Sequence, residues 1–276
     1  MSANADETFA PPEGKFLVDP YENWARAEGV PIHRAASLDL LRAQTAPWKR
    51  FGVEGAICHL DGRDDFLTVF LYDLAKGAAS APMKHIYEEV FYVLSGHGTA
   101  ELELPGGGRS TLEWRPKTLF SAPMNARIAI HNASGERARI AGVNDLRYLM
   151  SLYRNEKFLF ENPNEFPARA NGAFAVDCEA LPAGPMARPN EAVAPIVLAN
   201  GSIGCDLVEI APGKYGRAAR QMFGALMFGV AGEGMTLSWV DEPREAAKTP
   251  WRHGVAHAAT GMEFHQRFNL GAAPDA

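Results

Sequence analysis

The chain repeats a set of spaced landmarks in its two halves, and this repeat limits the possible folds more than any other feature. Gly77 recurs in the second half as Gly213, and Asn132 recurs as Asn269. The offset between the halves is the same for both pairs, and for the landmarks between them, to within a single position. A steady offset of this kind indicates a duplicated domain, so we expect two similar units rather than one large domain.

The segments around these landmarks carry the signals of β-structure. Phe66–Leu71, Val90–Leu94 and Ala138–Val143 are short apolar runs, as expected for buried strands. Thr99–Leu104 partly alternates, as a strand with one solvent-facing side would, and Gly106–Gly108 supplies a turn. Short strands with regular Gly and Pro punctuation predict an all-β barrel or sandwich.

Helices are predicted at two places. Asp19 can cap a short helix that has Pro20 at its first position and Glu22 at its third. Gly29 should end this helix. Within residues 144–169, apolar side chains recur at helical spacing from Leu146 onward, which predicts a helical connector between the two units.

The first half also contains two motifs whose spacing matches a metal-site pattern. The first motif runs Gly77-x5-Met83-x-His85-x3-Glu89-x6-Gly96. The second runs Lys117-x5-Pro123-x-Asn125-x2-Ile128-x3-Asn132. In these spacings the chain resembles the cupin superfamily, whose motifs are Gly-x5-His-x-His-x3–4-Glu-x6-Gly and Gly-x5-Pro-x-Gly-x2-His-x3-Asn.

The resemblance extends over about residues 50 to 270 and is that of a bicupin, distantly similar to gentisate dioxygenases. It implies an all-β fold of two tandem cupin (jelly-roll β-barrel) domains with a helical linker, and a homodimer. The expected divisions are a tail and short helix at 1–36, an N-terminal cupin domain at 37–145, a linker at 146–170 and a C-terminal cupin domain at 171–276.

The first half lacks two of the four metal ligands that the family pattern implies. Met83 and Ile128 stand at histidine positions, so only His85 and Glu89 remain as candidate metal ligands. Met83 is either a soft ligand for copper or an apolar residue filling the barrel, and we favour the filler. His131 should point away from the side of the strand that Ile128 faces.

The second half departs further from the pattern, because Ala219, Gln221 and Ala225 replace ligands and only His265 is retained. We expect no metal there. Arg267 lies two residues after His265, and together with Gln221 these side chains could bind a carboxylate or a carbonyl group. Equally, they could satisfy one another inside a filled barrel.

These residues favour a small-molecule enzyme that works by proton transfer, of the decarboxylase, isomerase or lyase type. His85 would be the acid or base in the N-terminal barrel, with Glu89 holding its tautomer. The substrate would be a carboxylated or phenolic metabolite.

Alternatives to this function are a metal-dependent ring-cleaving dioxygenase and a non-catalytic ligand-binding or regulatory protein. The cofactor is left open between none and a weakly held divalent metal on His85 and Glu89. Candidate substrate-binding residues are Met83, Tyr87, Arg127, Gln221, His265 and Arg267.

Composition and charge restrict the kinds of partner and the cellular compartment that we expect for this protein. The net charge of -6 argues against nucleic acid and anionic membranes as partners, and no apolar run is long enough for a membrane span. Met1–Gly14 is acidic and Pro-rich, which predicts a disordered tail rather than a secretory signal. Three widely spaced cysteines fit a cytoplasmic protein.

After Asn269, we expect the second barrel to lack the strand that Ala138–Val143 forms in the first, or to borrow one.

Overall fold

A computed structural model describes residues 19–62, 66–166, 172–199, 201–222 and 224–271 of the chain. It begins with helix α1 (Pro20–Ala27), which is capped by the Asp19 carboxylate. This carboxylate accepts hydrogen bonds from the backbone N–H groups of Tyr21 and Glu22. The predicted first helix is therefore confirmed, whereas the tail predicted at Met1–Gly14 lies outside the described residues.

The first half folds into two β-sheets that enclose a hydrophobic core. The larger sheet runs in the order β1 (Ile32–Ala35), β4 (Val53–Leu60), β5 (Thr68–Leu74), β12 (Ala138–Asn144), β7 (Glu89–Ser95), β10 (Thr118–Ser121) and β13 (Ala175–Asp177), with β3 (Ala46–Trp48) beside β4. The other sheet runs β6 (Met83–Lys84), β11 (Arg127–Asn132), β8 (Gly98–Glu103) and β9 (Arg109–Trp114).

The second half builds smaller sheets. One contains β14 (Met186–Arg188), β15 (Glu191–Ile196) and β16 (Cys205–Ile210). Another contains β17 (Ala225–Phe228), β20 (Val255–Ala259) and β2 (Ser37–Asp39). The third contains β19 (Ala247–Arg252), β18 (Glu233–Trp239) and β21 (Phe264–Asn269), and a short 3-10 turn at Pro243–Glu245 precedes β19.

The two halves exchange strands. Strand β2 comes from the start of the chain but pairs with β20 of the second half, with Ser37 opposite His257. Conversely, β13 follows the connector but pairs with β10 of the first half, with Thr118 opposite Asp177. Strand pairing thus crosses the predicted division of the chain at two places, while the division itself stays a prediction.

The repeat seen in the sequence is also a repeat of backbone conformation. Lys117 and its counterpart Gly254 both have a positive φ, of 68° and 81°. Asn125 and its counterpart Met262 also have positive φ values, of 60° and 65°. The family pattern has glycine at both of these positions, because left-handed backbone is unfavourable for other residues. The chain keeps the backbone conformation even where the glycine has been replaced.

The halves differ at one strand. In the first half, β12 lies between β5 and β7 and pairs with both. In the second half, the described residues place no strand between β16 and β17, which are the counterparts of β5 and β7. The counterpart of β12 would fall after Gly271, outside the described residues, so the expectation of a missing or borrowed closing strand stays a prediction.

The connector consists of helices α2 (Leu146–Tyr153) and α3 (Glu156–Phe160), as the helical spacing predicts. The strand predicted to begin at Phe66 begins later in the structure, because β5 starts at Thr68. Phe66 is 48% exposed and stacks on Tyr148 of α2. None of the described helices is long and apolar enough to cross a membrane.

Candidate active site

His85 and Glu89 lie side by side in the first barrel. His85 lies in the turn between β6 and β7, and Glu89 is the first residue of β7. The Nε2 atom of His85 is 3.6 Å from Oε2 of Glu89. The histidine side chain is 11% exposed and the glutamate side chain 1%. His85 is therefore the member of the pair that an incoming molecule would reach first.

The tautomer of His85 is set by Tyr87. The Nδ1 atom of His85 is 2.7 Å from the Tyr87 backbone carbonyl. A carbonyl can only accept, so Nδ1 carries the hydrogen, and Nε2 of the neutral ring presents a lone pair towards Glu89. The Tyr87 ring also stacks on the imidazole, with 3.5 Å between centroids. This corrects the expectation that Glu89 would hold the tautomer.

Glu89 is held by residues that sequence spacing could not reveal. Its Oε1 atom accepts hydrogen bonds from the Tyr72 hydroxyl at 2.9 Å and from the Asn144 amide at 3.3 Å. Gly142 makes room for the carboxylate, since a Cβ there would lie 2.1 Å from Oε1. In contrast, Oε2 is buried without a hydrogen-bond partner among the described residues. One carboxylate oxygen is anchored, and the other is available to His85.

Burial shifts the protonation of both members of the pair. Removal from water raises the pKa of Glu89 to about 8, although the Tyr72 and Asn144 hydrogen bonds oppose the shift. Burial lowers the pKa of His85 to about 4 against a smaller opposing effect of its bond to Tyr87. At neutral pH the favoured state is a protonated carboxyl group facing a neutral imidazole. The pair therefore holds one transferable proton.

The two substituted ligand positions are packed into the core. Met83 and Ile128 are directly paired across β6 and β11, and they are 3% and 1% exposed. The structure thus places Met83 as an apolar filler, as favoured from the sequence. Tyr87 is buried beside His85, and its hydroxyl has no hydrogen-bond partner among the described residues.

Two polar residues of β11 face away from the barrel interior. Arg127 is exposed and lies 3.4 Å from Glu103, so the predicted substrate contact at Arg127 needs correction. The alternation of β11 explains this, because Ile128 occupies the inward position next to it. His131 lies on the same outer side, 3.9 Å from Glu101, as its spacing predicts.

The donor set does not fit a firmly held metal ion. Within the described residues, no group of three or more His, Cys, Asp or Glu side chains could hold one. At the first-barrel position, His85 Nδ1 is engaged by Tyr87, which leaves only Nε2 and the free oxygen of Glu89 as donors. Two donor atoms leave most of the coordination shell of a divalent ion to water.

The connector covers the His85 side of the barrel. The backbone N–H of Ile86 donates to the Leu159 carbonyl at 2.9 Å. The Asn125 amide donates to the Asn162 carbonyl at 2.9 Å, and the Phe160 ring contacts Tyr87 edge-on at 5.5 Å. The end of α3 and the residues after it therefore pack against the segment that carries His85.

Gln221, His265 and Arg267 of the second half all line one cavity of about 750 Å³. Residues of the first half also border this cavity. Glu191, which no sequence motif singles out, lies at the same place and pairs with Arg267 at 2.8 Å. Arg188 approaches the other oxygen of Glu191 at 3.6 Å. An adjoining cavity of about 470 Å³ shares Arg267.

Comparison with solved structures defines the class of fold. The chain is similar to an oxalate decarboxylase of Lactobacillus farciminis, solved as a formate complex, with a TM-score of 0.60 and 13% identity over 86% of this chain and 82% of that one. An oxalate decarboxylase of Bacillus subtilis gives a TM-score of 0.57 and 14% identity over 86% and 74%. The predicted all-β, cupin-type fold is confirmed.

A further similar structure is a salicylate 1,2-dioxygenase of Pseudaminobacter salicylatoxidans. It aligns with a TM-score of 0.56 and 11% identity over 75% of this chain and 68% of that one. At such identities the likeness concerns the fold alone. No protein-family model matches the sequence, and comparison with curated proteins finds no match.

Proposed function

We propose that the protein is an enzyme that transforms a small carboxylated or phenolic metabolite by proton transfer at His85 and Glu89. The observation that carries this proposal is the approach of His85 Nε2 to Glu89 Oε2 at 3.6 Å. The Tyr87 carbonyl turns the lone pair of Nε2 towards the carboxyl group. The fold is that of enzymes acting on small acids, which agrees with this proposal.

The two residues have different roles. His85 is the catalytic residue, because it is the more exposed member and would exchange the proton with the substrate. Glu89 stores the proton and returns it to the imidazole. In an isomerisation, Nε2 would take a proton from one carbon and return it to another. In a decarboxylation, carbon dioxide would leave, the resulting carbanion would take the Glu89 proton by way of Nε2, and water would then reprotonate Glu89.

The surroundings of the pair support this chemistry. The buried Tyr87 hydroxyl and Glu89 Oε2 lack hydrogen-bond partners among the described residues. Unsatisfied buried polar atoms are uncommon, and they mark places where a polar ligand is accommodated. A dry environment also strengthens the coupling between the two groups.

The test is a solvent-exchange experiment, which detects proton transfer even when no net product forms. The full chain is incubated in deuterated water with a panel of carboxylated and phenolic compounds, and carbon-bound hydrogen loss is followed by NMR. We expect exchange with at least one compound, and a loss on the order of tenfold to a thousandfold in Glu89→Gln. His131→Gln is the matched control, because His131 lies on the outer side of the same barrel.

Chelation separates this proposal from metal catalysis. Exchange should survive exhaustive dialysis against EDTA, because the donor set holds only two ligand atoms. Loss of exchange on chelation, followed by recovery with one added divalent metal, would contradict the proton-transfer mechanism. The absence of exchange with every compound would contradict it as well.

A further inference from the structure

The larger cavity of the second half, with a volume of about 750 Å³, is bordered by residues of β16 and β17. In the first half, β12 pairs with β5 on one side and β7 on the other. In the described part of the second half, the corresponding strands β16 and β17 have nothing between them. Leu207 of β16 and Met227 of β17 both line the cavity. Within the described residues, the cavity therefore lies between the two strands that correspond to the neighbours of β12.

The length and walls of this space suit an elongated apolar body. Four residues of β16, at positions 205–208, border the cavity, which corresponds to a length of about 13 Å. The volume lies within the usual range of small-molecule sites. Both halves contribute to its apolar walls, which include Val90, Leu119, Leu207, Leu226 and Phe228.

A charged cluster lies on the wall of the cavity. Arg267 donates to one oxygen of Glu191 at 2.8 Å, and Arg188 lies 3.6 Å from the other oxygen. The Glu191 side chain is 1% exposed, so its charge is buried between the two guanidinium groups. Two positive charges share one negative charge, which leaves this cluster with an excess of one positive charge.

His265 supplies further polar atoms beside this cluster. The residue is 4% exposed, and neither ring nitrogen has a hydrogen-bond partner within the described residues. Burial and the nearby Arg267 lower the pKa of His265, which favours the neutral ring. A neutral imidazole has one N–H donor to offer a ligand. Gln221 adds an amide to the same wall.

The other two acidic residues of the cavity wall do not cancel this excess charge. Asp206 is exposed to solvent, where water screens its charge. Asp145 accepts a hydrogen bond from the Glu88 backbone N–H at 2.9 Å, and one of its oxygens lies 3.4 Å from the Ser202 hydroxyl. Within the described residues, Arg188 and Arg267 form their ion pairs with Glu191 and not with Asp145 or Asp206.

We propose that this cavity binds an elongated organic acid with a single carboxylate. The carboxylate would lie against Arg188, Arg267 and His265, and the apolar body would lie between β16 and β17. One excess positive charge matches one carboxylate, and guanidinium groups bind carboxylates through paired hydrogen bonds. This site uses none of the residues proposed for proton transfer.

The test uses decanoate as the probe, with decanol as the uncharged control and decyltrimethylammonium as the cationic control. Titration calorimetry on the full chain should show one decanoate per chain, with both controls at least about tenfold weaker. Arg188→Gln should weaken decanoate binding about tenfold, because charged hydrogen bonds are the strong ones. Arg244→Gln is the matched control, since Arg244 is exposed and outside the cavity wall.

Arg267→Lys provides a second variant that keeps Glu191 paired with a cation. It should also weaken binding, because lysine loses the planar fork of donors. Failure of decanoate to bind, equal binding of decanol, or unchanged affinity in both Arg188→Gln and Arg267→Lys would overturn the proposal. His85→Gln should leave the affinity unchanged, so failure here is distinguishable from failure of the proton-transfer site.

Discussion

The two halves contain equivalent strands but differ in how completely the residues of those strands are buried. All residues of β5 are buried, from Thr68 to Leu74, whereas only Ile210 is buried in the equivalent β16. The difference follows from β12, which covers the edges of β5 and β7 and has no described counterpart in the second half. The half that contains β12 thus has a fully buried β5, whereas the equivalent β16 borders a large cavity.

This difference sets the chemistry that each half can support. In the first half, Glu89 is buried away from water, and this burial is the main cause that raises its pKa. In the second half, the ion pair of Arg267 with the buried Glu191 keeps charged groups beside the cavity. The first half is suited to holding a proton, and the second to holding a ligand.

The largest expected contrast between the halves is in catalysis. His85→Ala should lower the exchange rate by roughly a hundredfold to ten-thousandfold, because it removes the acid–base group. His265→Ala should change the rate much less, since His265 lies in the other half. The measurement is the NMR exchange rate of both variants with the same compound. Equal losses would show that the proton-transfer site is not confined to the first barrel.

Equivalent substitutions in the two halves should lower the free energy of unfolding by different amounts. Leu71 of β5 and Leu207 of β16 are related by the repeat offset, but only Leu71 is fully buried. Leu71→Ala should cost about 2–5 kcal/mol in free energy of unfolding, because it leaves a cavity in a packed core. Leu207→Ala should cost about 1 kcal/mol or less, because its side chain already borders a cavity. Denaturant unfolding of the two variants tests this, and equal costs would contradict the contrast in packing.

Because Glu89 is buried away from water, the free energy of unfolding should depend on pH. The folded protein keeps the Glu89 proton up to a pKa of about 8, while the unfolded chain releases it near the ordinary value of 4.5. The unfolded state therefore binds fewer protons in this range, and stability should fall as pH rises towards 8.

Glu89→Gln should remove this fall, by at most roughly 1.4 kcal/mol for each pH unit. The measurement is the free energy of unfolding of both proteins between pH 6.5 and 8. His85 opposes the fall only near pH 6.5, where the unfolded imidazole is still partly protonated, and this contribution is present in both proteins. Parallel pH profiles for the two proteins would show that Glu89 is already ionised.

The smallest expected contrast between the halves is at Lys117 and Gly254, two equivalent positions that both have a positive φ. Gly254→Ala should destabilise by about 1–3 kcal/mol, because φ is 81° and the new Cβ would lie 2.5 Å from Leu41 Cδ1. Lys117→Gly, at the equivalent turn, should change stability by about 1 kcal/mol or less. There the gain from relieved backbone strain is offset by loss of the Lys117 ion pair with Glu179. Thermal melting compares the two, and a larger cost for Lys117→Gly would contradict the strain argument.

Much of the fold could be predicted from local sequence signals. The helix capped by Asp19, the strand around Val90–Leu94 and the alternating strand of residues 99–104 follow from patterns that act over a few residues. The repeat likewise predicts matching roles for Asn132 and Asn269. The Asn132 side chain donates to the Leu74 carbonyl, and that of Asn269 donates to the equivalent Ile210 carbonyl.

The exchange of β2 and β13 between the halves could not be predicted in this way. Both are three-residue strands whose partners, β20 and β10, lie far away in sequence. Short edge strands carry little pattern of their own, so their pairing is decided by packing of the whole chain. Packing also explains why β5 begins later than the apolar run predicts, since Phe66 is apolar but packs on a helix surface.

For the candidate sites, sequence determined which residues are present and tertiary structure decided what they contact. Motif spacing alone selected His85 and Glu89, and it placed Gln221, His265 and Arg267 in one group. Only the fold showed that Tyr87 sets the histidine tautomer, and only the fold placed Tyr72 and Asn144 on the glutamate. Spacing along a strand fixes which side chains share a face, because the strand repeat is local. Contacts between strands distant in sequence depend on the arrangement of the sheets, which no local pattern records.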